Sequence, residues 1–260
     1  MRTCNYRYKI QKMLTPKMWM KADIIDDVNE DINITPILPK KRNKQIPICL
    51  QKYYTEDPLI YEIGVDEAGR GPLFGRVYTA AVILPKDDGF DHSKMKDSKK
   101  FHSVKKIKEV AEYIKENALF WSVTFEDEKV IDEINILQAT QKSMHHSIEN
   151  VIRKSKTNVL NSHQYKLLID GNYFKPFKNY EHVCVEGGDN MYSCIAAASI
   201  LAKVERDTYI EELCNENPEL IEKYGLNSNK GYGAKKHIEG IKEHGITIWH
   251  RRTFGICSAY

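Results

Sequence analysis

The chain has 260 residues, 42% of them hydrophobic, which is enough to bury one sizeable core and to carry a tail beside it. No apolar run approaches the roughly 20 residues needed to span a bilayer, and the first residues lack the apolar block of a secretory signal, so a membrane role is not expected. The six cysteines are scattered without a Cys-x-x-Cys pair, which predicts reduced thiols in an intracellular, cytoplasmic protein.

Residues 1–55 differ in character from the rest of the chain. They hold eleven Lys and Arg against five Asp and Glu, a net of +6, so the remainder nets −3 within the total of +3. Charge runs and scattered prolines without a sustained period predict a disordered or loosely packed extension. Two alternatives stay open: residues 1–22 faintly resemble a transit peptide, and the basic patch Lys40-Lys41-Arg42 resembles a nuclear localisation signal. Any phosphate-binding surface in residues 56–260 must then be a local patch.

From about residue 58 the sequence predicts strands and helices. Runs of β-branched and aromatic residues predict strands at 61–65, 76–84, 119–125, 165–169 and 182–185. Apolar residues at helical spacing predict a helix at 104–114. Further helices are predicted at 131–152, 190–213 and 234–242. Three strands in near succession, followed by strands interleaved with helices, are typical of an α/β domain over residues 56–260: a mixed β-sheet flanked by helices, with a C-terminal helical segment.

Four acidic residues lie at strand ends or just before a helix. Asp66 and Glu67 follow the first predicted strand, Asp170 ends the fourth, and Asp189 precedes the third predicted helix. Because strand ends meet at one edge of an open sheet, these carboxylates can converge, and converging carboxylates repel unless a cation lies between them. The pattern favours a site for divalent ions, Mg²⁺ or Mn²⁺, and two such ions about 4 Å apart can support phosphodiester hydrolysis. Taken singly, Asp170 is typical of a turn and Asp189 of a helix N-cap.

The segment 66–72, Asp-Glu-Ala-Gly-Arg-Gly-Pro, resembles the ribonuclease HII (type 2 ribonuclease H) family. Further blocks follow in the family's order, at residues 97–100, 131–139, 169–172, 188–189, 196–207, 230–233 and 250–254. The resemblance covers about residues 58–256. It implies a ribonuclease H-like fold and an endonuclease that acts on RNA–DNA hybrids and on duplex DNA with embedded ribonucleotides. The expected two-metal-ion mechanism cuts on the 5′ side of the ribonucleotide and leaves 3′-hydroxyl and 5′-phosphate ends.

The family's pattern assigns roles to the acids and departs from this chain at one place. The residues that match the metal-binding acids are Asp66, Glu67, Asp170 and Asp189. The family often carries Lys where this chain has Gly187, which removes a positive charge beside the fourth acid. Lys203 and Arg206 fall within a family block, and for them surface or core-edge ion pairs are an equal reading.

The same resemblance implies a substrate-reading surface. Gly69, Arg70 and Gly71 match the segment that reads the 2′-hydroxyl at an RNA–DNA junction, Tyr232 matches a residue that packs on the following sugar, and Lys99 is assigned to phosphate contact. Glycines let the backbone approach closely, and the fork of Arg70 can grip a phosphate. The alternatives are that the glycines only make a tight turn and that Tyr232 is a packed surface aromatic. His250 is assigned either to orienting the site or to a structural role.

Three functions remain to be compared. The leading one is an endonuclease at ribonucleotides in DNA, acting as a monomer. The second is a non-catalytic nucleic-acid-binding module, against which the complete set of four acids argues. The third is a nuclease or transposase of the same fold that cuts only DNA. This function would not explain the segment Gly69, Arg70 and Gly71, which is assigned to sensing a 2′-hydroxyl. The related type 3 enzymes are disfavoured by Arg70 and by the short, patternless N-terminus.

Overall fold

The computed structural model describes residues 50–158 and 164–260. The basic patch at 40–42, the segment 1–22 and two of the six cysteines, Cys4 and Cys49, lie outside the described residues. Within the part of the chain that the structure describes, no helix is long and apolar enough to cross a membrane.

The described part contains the five strands and the four longer helices predicted from the sequence, and two short helices besides. The strands are β1 (Ile60–Ala68), β2 (Val77–Ile83), β3 (Phe120–Glu126), β4 (Gln164–Asp170) and β5 (Glu181–Val185). The helices are α1 (Val104–Asn117), α2 (Glu128–Asn158), α3 (Ser193–Glu216), α4 (Glu219–Tyr224), α5 (Leu226–Asn229) and α6 (Lys235–His244). Short 3₁₀ helices lie at His92–Lys94, Ser98–Lys100, Gly188–Asn190 and Gly255–Ala259.

The strands form one mixed sheet in the order β3-β2-β1-β4-β5. The first three strands are antiparallel neighbours, and β4 and β5 run parallel to β1. The prediction of a mixed sheet flanked by helices is therefore confirmed. Since β1, β4 and β5 run parallel, their carboxyl ends lie at the same edge, and this edge carries the acids.

Helices cover both faces of the sheet. On one face α3 and α1 pack against Val82 and Leu168, and on the other α2 packs against Val65 and Ile169. All seven residues of β2 are buried for this reason, which explains its continuous apolar sequence. Gly64 of β1 lets α3 approach closely, because an added Cβ would lie 2.2 Å from the carbonyl carbon of Cys194.

The prediction of one continuous helix over residues 131–152 is wrong at a single residue. Asn135 interrupts α2 with a φ of 67° and a ψ of 163°. Its side-chain Oδ1 accepts a hydrogen bond from the backbone N–H of Gln138 at 3.1 Å, so Asn135 caps the second part of the helix. Asparagine is among the preferred N-cap residues, which accounts for the start of a new helix here, whereas this φ/ψ pair lies in a region that residues other than glycine adopt only with strain.

The C-terminal helical segment packs as a third cluster beside the sheet. Phe74, Tyr209, Leu220, Tyr224 and Ile241 are buried together in it. Because of this packing, the chain passes the carboxyl end of β1 between α5 and the C-terminus. Residues 230–233 and 250–254 are thereby brought to the edge of the sheet where the acids lie.

Residues 51–55 contact the folded part of the chain. Gln51 donates its backbone N–H to the carbonyl of Met191 at 2.8 Å, and the N–H groups of Tyr54 and Thr55 donate to the Glu62 carboxylate at 2.9 and 2.7 Å. Glu62 is buried, with 5% exposure. The extension over residues 1–55 stays a prediction, and within the described residues its last five, 51–55, contact the folded part.

A chain that begins at residue 50 should therefore be more stable than one that begins at residue 56. The shorter chain loses both backbone donors to the buried Glu62 carboxylate, and we expect a free energy of unfolding lower by about 2–4 kcal/mol. Urea denaturation of the two chains measures the difference. Glu62→Gln in the longer chain is the comparison variant: it removes the carboxylate charge from these bonds, keeps one acceptor oxygen and also breaks the Lys86 ion pair at 3.1 Å. Equal stability of both truncated chains would show that residues 51–55 contribute nothing.

Candidate active site

The carboxyl ends of β1 and β4 place two acids side by side. Val65 pairs with Ile169 in the parallel register, so Asp66 and Asp170 are neighbours on the face covered by α3. Asp66 is only 5% exposed, and its Oδ1 accepts the backbone N–H of Glu67 at 2.7 Å. Strand alternation directs Glu67 to the opposite face of β1. Three carboxylates thus lie around one strand end.

Burial and mutual repulsion make two of these carboxylates, Asp66 and Glu67, costly to ionise. The pKa of Asp66 is raised well above its ordinary value by burial, by Glu67 and by Asp170, against a hydrogen bond from Ser199 that lowers it. Burial also raises the pKa of Glu67, although the positive charge of Arg70 opposes this. Arg70 forms an ion pair with Glu67 at 3.3 Å. The site therefore holds negative charge that the described side chains balance only in part.

Asp189 lies on the 3₁₀ helix Gly188–Asn190, which follows β5, and is 4% exposed. The backbone N–H of Gly188, the residue before Asp189, donates to Oδ1 of Asp170 at 2.7 Å. The pKa of Asp189 is raised by burial first and then by Asp170 and Asp97, while Lys99 lowers it. Asp189 is therefore close to the other acids, but it does not line the groove that they share.

The position before this turn, Gly187, has a left-handed φ of 67°, which a lysine would adopt only with strain. Positive charge near Asp189 comes instead from the 3₁₀ helix Ser98–Lys100. Lys99 lowers the pKa of Asp189, and the ammonium of Lys100 donates to the side-chain oxygen of Asn190. Asp189 therefore has positive charge nearby from Lys99, although position 187 itself carries none.

A groove of about 470 Å³ opens above the acids. Its charged and polar lining residues are Asp66, Glu67, Arg70, Ser98, Lys99, Asp170, Ser199, Lys203, Arg206, Asp207, Ser228, Asn229, Lys230 and Tyr232. Five of these side chains are cationic, although the net charge of residues 56–260 is negative. Four others are carboxylates, so the groove offers cations beside acids and not the uniformly positive patch expected for a phosphate-binding surface.

Residues 69–71 form one wall of the groove, and Tyr232 faces them. Gly69 has a φ of 94°, and an added Cβ would lie 2.4 Å from Nε of Arg206, so only glycine fits there. A Cβ on Gly71 would lie 3.5 Å from the Tyr232 ring, which is 51% exposed. The structure thus brings together the two features that the resemblance assigned to substrate reading.

Two positively charged residues of α3 have different surroundings. Lys203 pairs with Asp207 at 2.8 Å, as the ion-pair reading expected, while also lining the groove. Arg206 is 2% exposed and donates to the carbonyl of Lys230 at 2.7 Å, which holds the turn that carries Tyr232. Sequence reasoning missed Ser199, whose hydrogen bond to Asp66 depends on the close approach of α3 to the sheet.

His250 has a structural role in this arrangement. Its Nδ1 accepts the backbone N–H of Thr247 at 2.9 Å, so in the neutral ring Nε2 carries the proton and donates to Nε2 of His237 at 3.1 Å. Nδ1 of His237 then donates to the carbonyl of Tyr232 at 2.9 Å. Two buried neutral histidines thus fix the backbone at Tyr232.

This pair should make stability depend on pH. Burial lowers the pKa of His250 to about 3, and that of His237 is also lowered. The unfolded chain binds these protons more readily, so their contribution is complete above a pH of about 6.5 and is lost as the pH falls toward 3. His250 should cost about 2 kcal/mol of unfolding free energy between about pH 7 and 5, and His237 should add to this loss in the same direction.

Urea denaturation across that pH range checks this expectation. His250→Gln should show a shallower loss of stability than the unmodified chain, whatever its stability at pH 7. His102 is exposed, so His102→Gln is the control and should follow the unmodified chain. Parallel pH profiles for all three proteins would contradict the role given to the histidine pair.

The mixed sheet, with acids at the ends of its central parallel strands beneath a cation-lined groove, defines an endoribonuclease with a ribonuclease H-like fold. The chain belongs to the ribonuclease HII family, whose model, described as Ribonuclease HII, matches residues 63–257. This confirms the resemblance seen in the sequence and supports an enzyme over the non-catalytic alternative.

Individual relatives agree with this assignment. The ribonuclease HII of Cytophaga hutchinsonii is 44% identical over 207 residues, covering 80% of this chain and 94% of the relative. Among solved structures, ribonuclease H2 from Pyrococcus horikoshii OT3 superposes with a TM-score of 0.58 at 22% identity, over 76% of this chain and 95% of that one. Bst-RNase HIII, solved in complex with Mn²⁺, has a TM-score of 0.53 at 20% identity, over 72% of this chain and 63% of that one. The solved structures support the fold.

Proposed function

We propose that this enzyme hydrolyses the phosphodiester bond on the 5′ side of ribonucleotides, either in RNA–DNA hybrids or embedded in duplex DNA. The observation that carries the proposal is one groove in which Asp66, Glu67 and Asp170 lie beside the 69–71 segment and opposite Tyr232. Carboxylates suit hydrolysis, and closely approaching backbone suits the sensing of a 2′-hydroxyl. Removal of ribonucleotides during DNA replication and repair is the cellular role that fits this activity.

The acids are proposed to hold divalent metal ions, Mg²⁺ or Mn²⁺. In residues 50–158 and 164–260, no three His, Cys, Asp or Glu side chains are arranged to hold an ion as they stand. Glu67 accepts from Arg70 at 3.3 Å, and Asp170 accepts from the Gly188 N–H at 2.7 Å. The donor set nevertheless fits a hard cation, because Asp66, Glu67 and Asp189 have raised pKa values and such carboxylates gain most from added positive charge.

When bound, two such ions would activate a water and stabilise the departing oxygen. The residues of the chain would do the rest of the work. Asp66, Glu67 and Asp170 would supply ligand oxygens from the groove, and Asp189 would join from beside Asp170. Bst-RNase HIII, which shares the fold, was solved with Mn²⁺.

The substrate is proposed to lie along the groove with its phosphates on the cations. Lys99 and Arg70 lie near the acids and would contact the phosphates that flank the scissile bond. The 69–71 segment would read the 2′-hydroxyl, and the exposed ring of Tyr232 would pack on the sugar that follows. Every one of these groups comes from a single chain, which supports action as a monomer.

An intracellular location is part of the same proposal. Four cysteines of the described part, Cys184, Cys194, Cys214 and Cys257, are unpaired thiols, as a reducing compartment allows. Nuclear targeting through Lys40-Lys41-Arg42 gains no support from the comparisons, and we do not propose it.

Cleavage of a duplex with one ribonucleotide should leave a 3′-hydroxyl on the upstream DNA and a 5′-phosphate on the ribonucleotide. The reason is that water is the nucleophile, so the 2′-hydroxyl is read and not consumed. Mapping of the product ends, with Mg²⁺ or Mn²⁺ present, measures this. Cyclic phosphate ends would contradict the water mechanism, and equal cleavage of an all-DNA duplex would favour the DNA-only nuclease.

A further inference from the structure

Arg251 is a buried cation held by backbone carbonyls. Its side chain has 0% exposure. The guanidinium donates to the carbonyls of Gly69 at 2.6 Å, Arg70 at 3.0 Å, Pro72 at 2.9 Å, Gly75 at 2.8 Å and Arg76 at 3.1 Å. Among the described residues, no carboxylate forms an ion pair with it. The five carbonyl dipoles therefore supply the compensation that a buried charge requires.

These bonds set the direction of two peptide planes in the wall of the groove. The described chain has no cis peptide bonds. In a planar trans peptide the C=O and the N–H of the next residue point in opposite directions. Because the carbonyls of Gly69 and Arg70 point to Arg251, the N–H groups of Arg70 and Gly71 point away from it.

The side away from Arg251 is the groove. Residues 69–71 line the groove, whereas the guanidinium of Arg251 is enclosed beneath them. Gly71 faces the ring of Tyr232 across a gap that would leave 3.5 Å to an added Cβ. A group that enters between Gly71 and Tyr232 thus meets two backbone N–H donors. They belong to the two peptide groups whose carbonyls accept from Arg251.

We propose that Arg251 is a positioning residue for ribonucleotide recognition, which fixes the Gly69 and Arg70 peptides so that the segment offers N–H donors to the 2′-oxygen of the substrate. This inference rests on the proposed function. The pattern requires a guanidinium, since only its fork can reach carbonyls on several sides at once. A lysine ammonium has three donors and cannot hold five carbonyls.

Binding without cleavage tests this role in the full-length chain. Arg251→Lys, the unmodified chain and Leu220→Ala are compared in EDTA by fluorescence anisotropy, with a duplex carrying one central ribonucleotide and the same duplex in all-DNA form. Leu220 is fully buried in the C-terminal cluster, so Leu220→Ala is a destabilised control with the carbonyl bonds intact. Arg251→Lys should lose about tenfold in affinity for the ribonucleotide duplex and less than about twofold for the DNA duplex.

The outcomes distinguish the positioning role of Arg251 from the proposed function on which it rests. If the unmodified chain and Arg251→Lys prefer the ribonucleotide duplex equally, the positioning role is overturned while the proposed function stands. If the unmodified chain itself shows no preference, the proposed reading of ribonucleotides fails, and the inference falls with it. Leu220→Ala should keep the preference; its loss there would make the effect a general consequence of instability and overturn the role.

A second variant covers poor folding of Arg251→Lys. Arg251→Ala leaves a cavity of guanidinium shape, and millimolar guanidinium should restore both its melting temperature and its preference for the ribonucleotide duplex. Methylammonium at the same concentration should restore neither. If both variants fail to fold under all of these conditions, Arg251 serves the stability of the whole C-terminal segment and the specific role is overturned.

Discussion

Replacement of Asp66 or Asp170 by Asn is expected to lower the rate of cleavage at a single ribonucleotide by at least about a thousandfold, since a metal-ion site supplies several kcal/mol of transition-state stabilisation. Both residues occupy adjacent strand ends, and each variant removes a ligand charge while keeping the side-chain shape. Single-turnover cleavage with Mg²⁺ or Mn²⁺ measures the loss. Asp88→Asn is the control, because Asp88 is fully exposed on a loop away from the groove.

The same variants should keep the fold, and Asp66→Asn should strengthen it in the absence of metal. The pKa of Asp66 is raised in the folded protein, so ionisation at neutral pH costs stability. We expect the variant to gain stability at pH 7 relative to the unmodified chain. This gain should be present at pH values well above about 4 and should vanish as the pH falls below the carboxyl's ordinary pKa.

Added metal should reverse that order, because the unmodified site gains ligand binding energy that the variant lacks. Thermal denaturation with and without Mg²⁺ therefore provides a readout besides activity. Turnover of both Asn variants at the unmodified rate would rule out the proposed catalytic site. An Asp66→Asn protein less stable than the unmodified chain in EDTA would instead show that the carboxylate is well compensated without metal.

Replacement of Tyr232 by Ala is expected to lower kcat/KM on a duplex with one ribonucleotide by about 10–100-fold, the range expected when an aromatic packing surface is lost. The ring is half exposed and faces Gly71 across the groove. The backbone at Tyr232 is held separately, by His237 and by the bond between Arg206 and Lys230, so folding should be little changed.

Tyr232→Phe is the matched control for this prediction, since it keeps the packing face and removes only the hydroxyl. It should retain most of the activity. Steady-state kinetics and the melting temperature of all three proteins give the comparison. A Tyr232→Ala enzyme as active as the unmodified chain would remove Tyr232 from the recognition surface.

The sequence alone determined the elements and the chemical type of the site. Alternating or continuous apolar runs marked every strand because burial on one or both faces of a sheet is a local constraint on side chains. Acids at strand ends predicted a common edge, and the order of the family blocks indicated the family. The break at Asn135 was not foreseen, since a single residue with positive φ hardly disturbs the hydrophobic period of a helix.

Only the tertiary structure decided how these parts meet. The register of β1 and β4 made Asp66 and Asp170 neighbours and left Asp189 beside the groove instead of within it. The backbone of Gln51 bonds to Met191, a contact that no pattern in residues 1–55 predicted. Arg251 reaches carbonyls about 180 residues earlier in the chain. A backbone carbonyl is the same chemical group in every residue, so no sequence pattern marks one as a partner, and its bonds follow from the path of the folded chain.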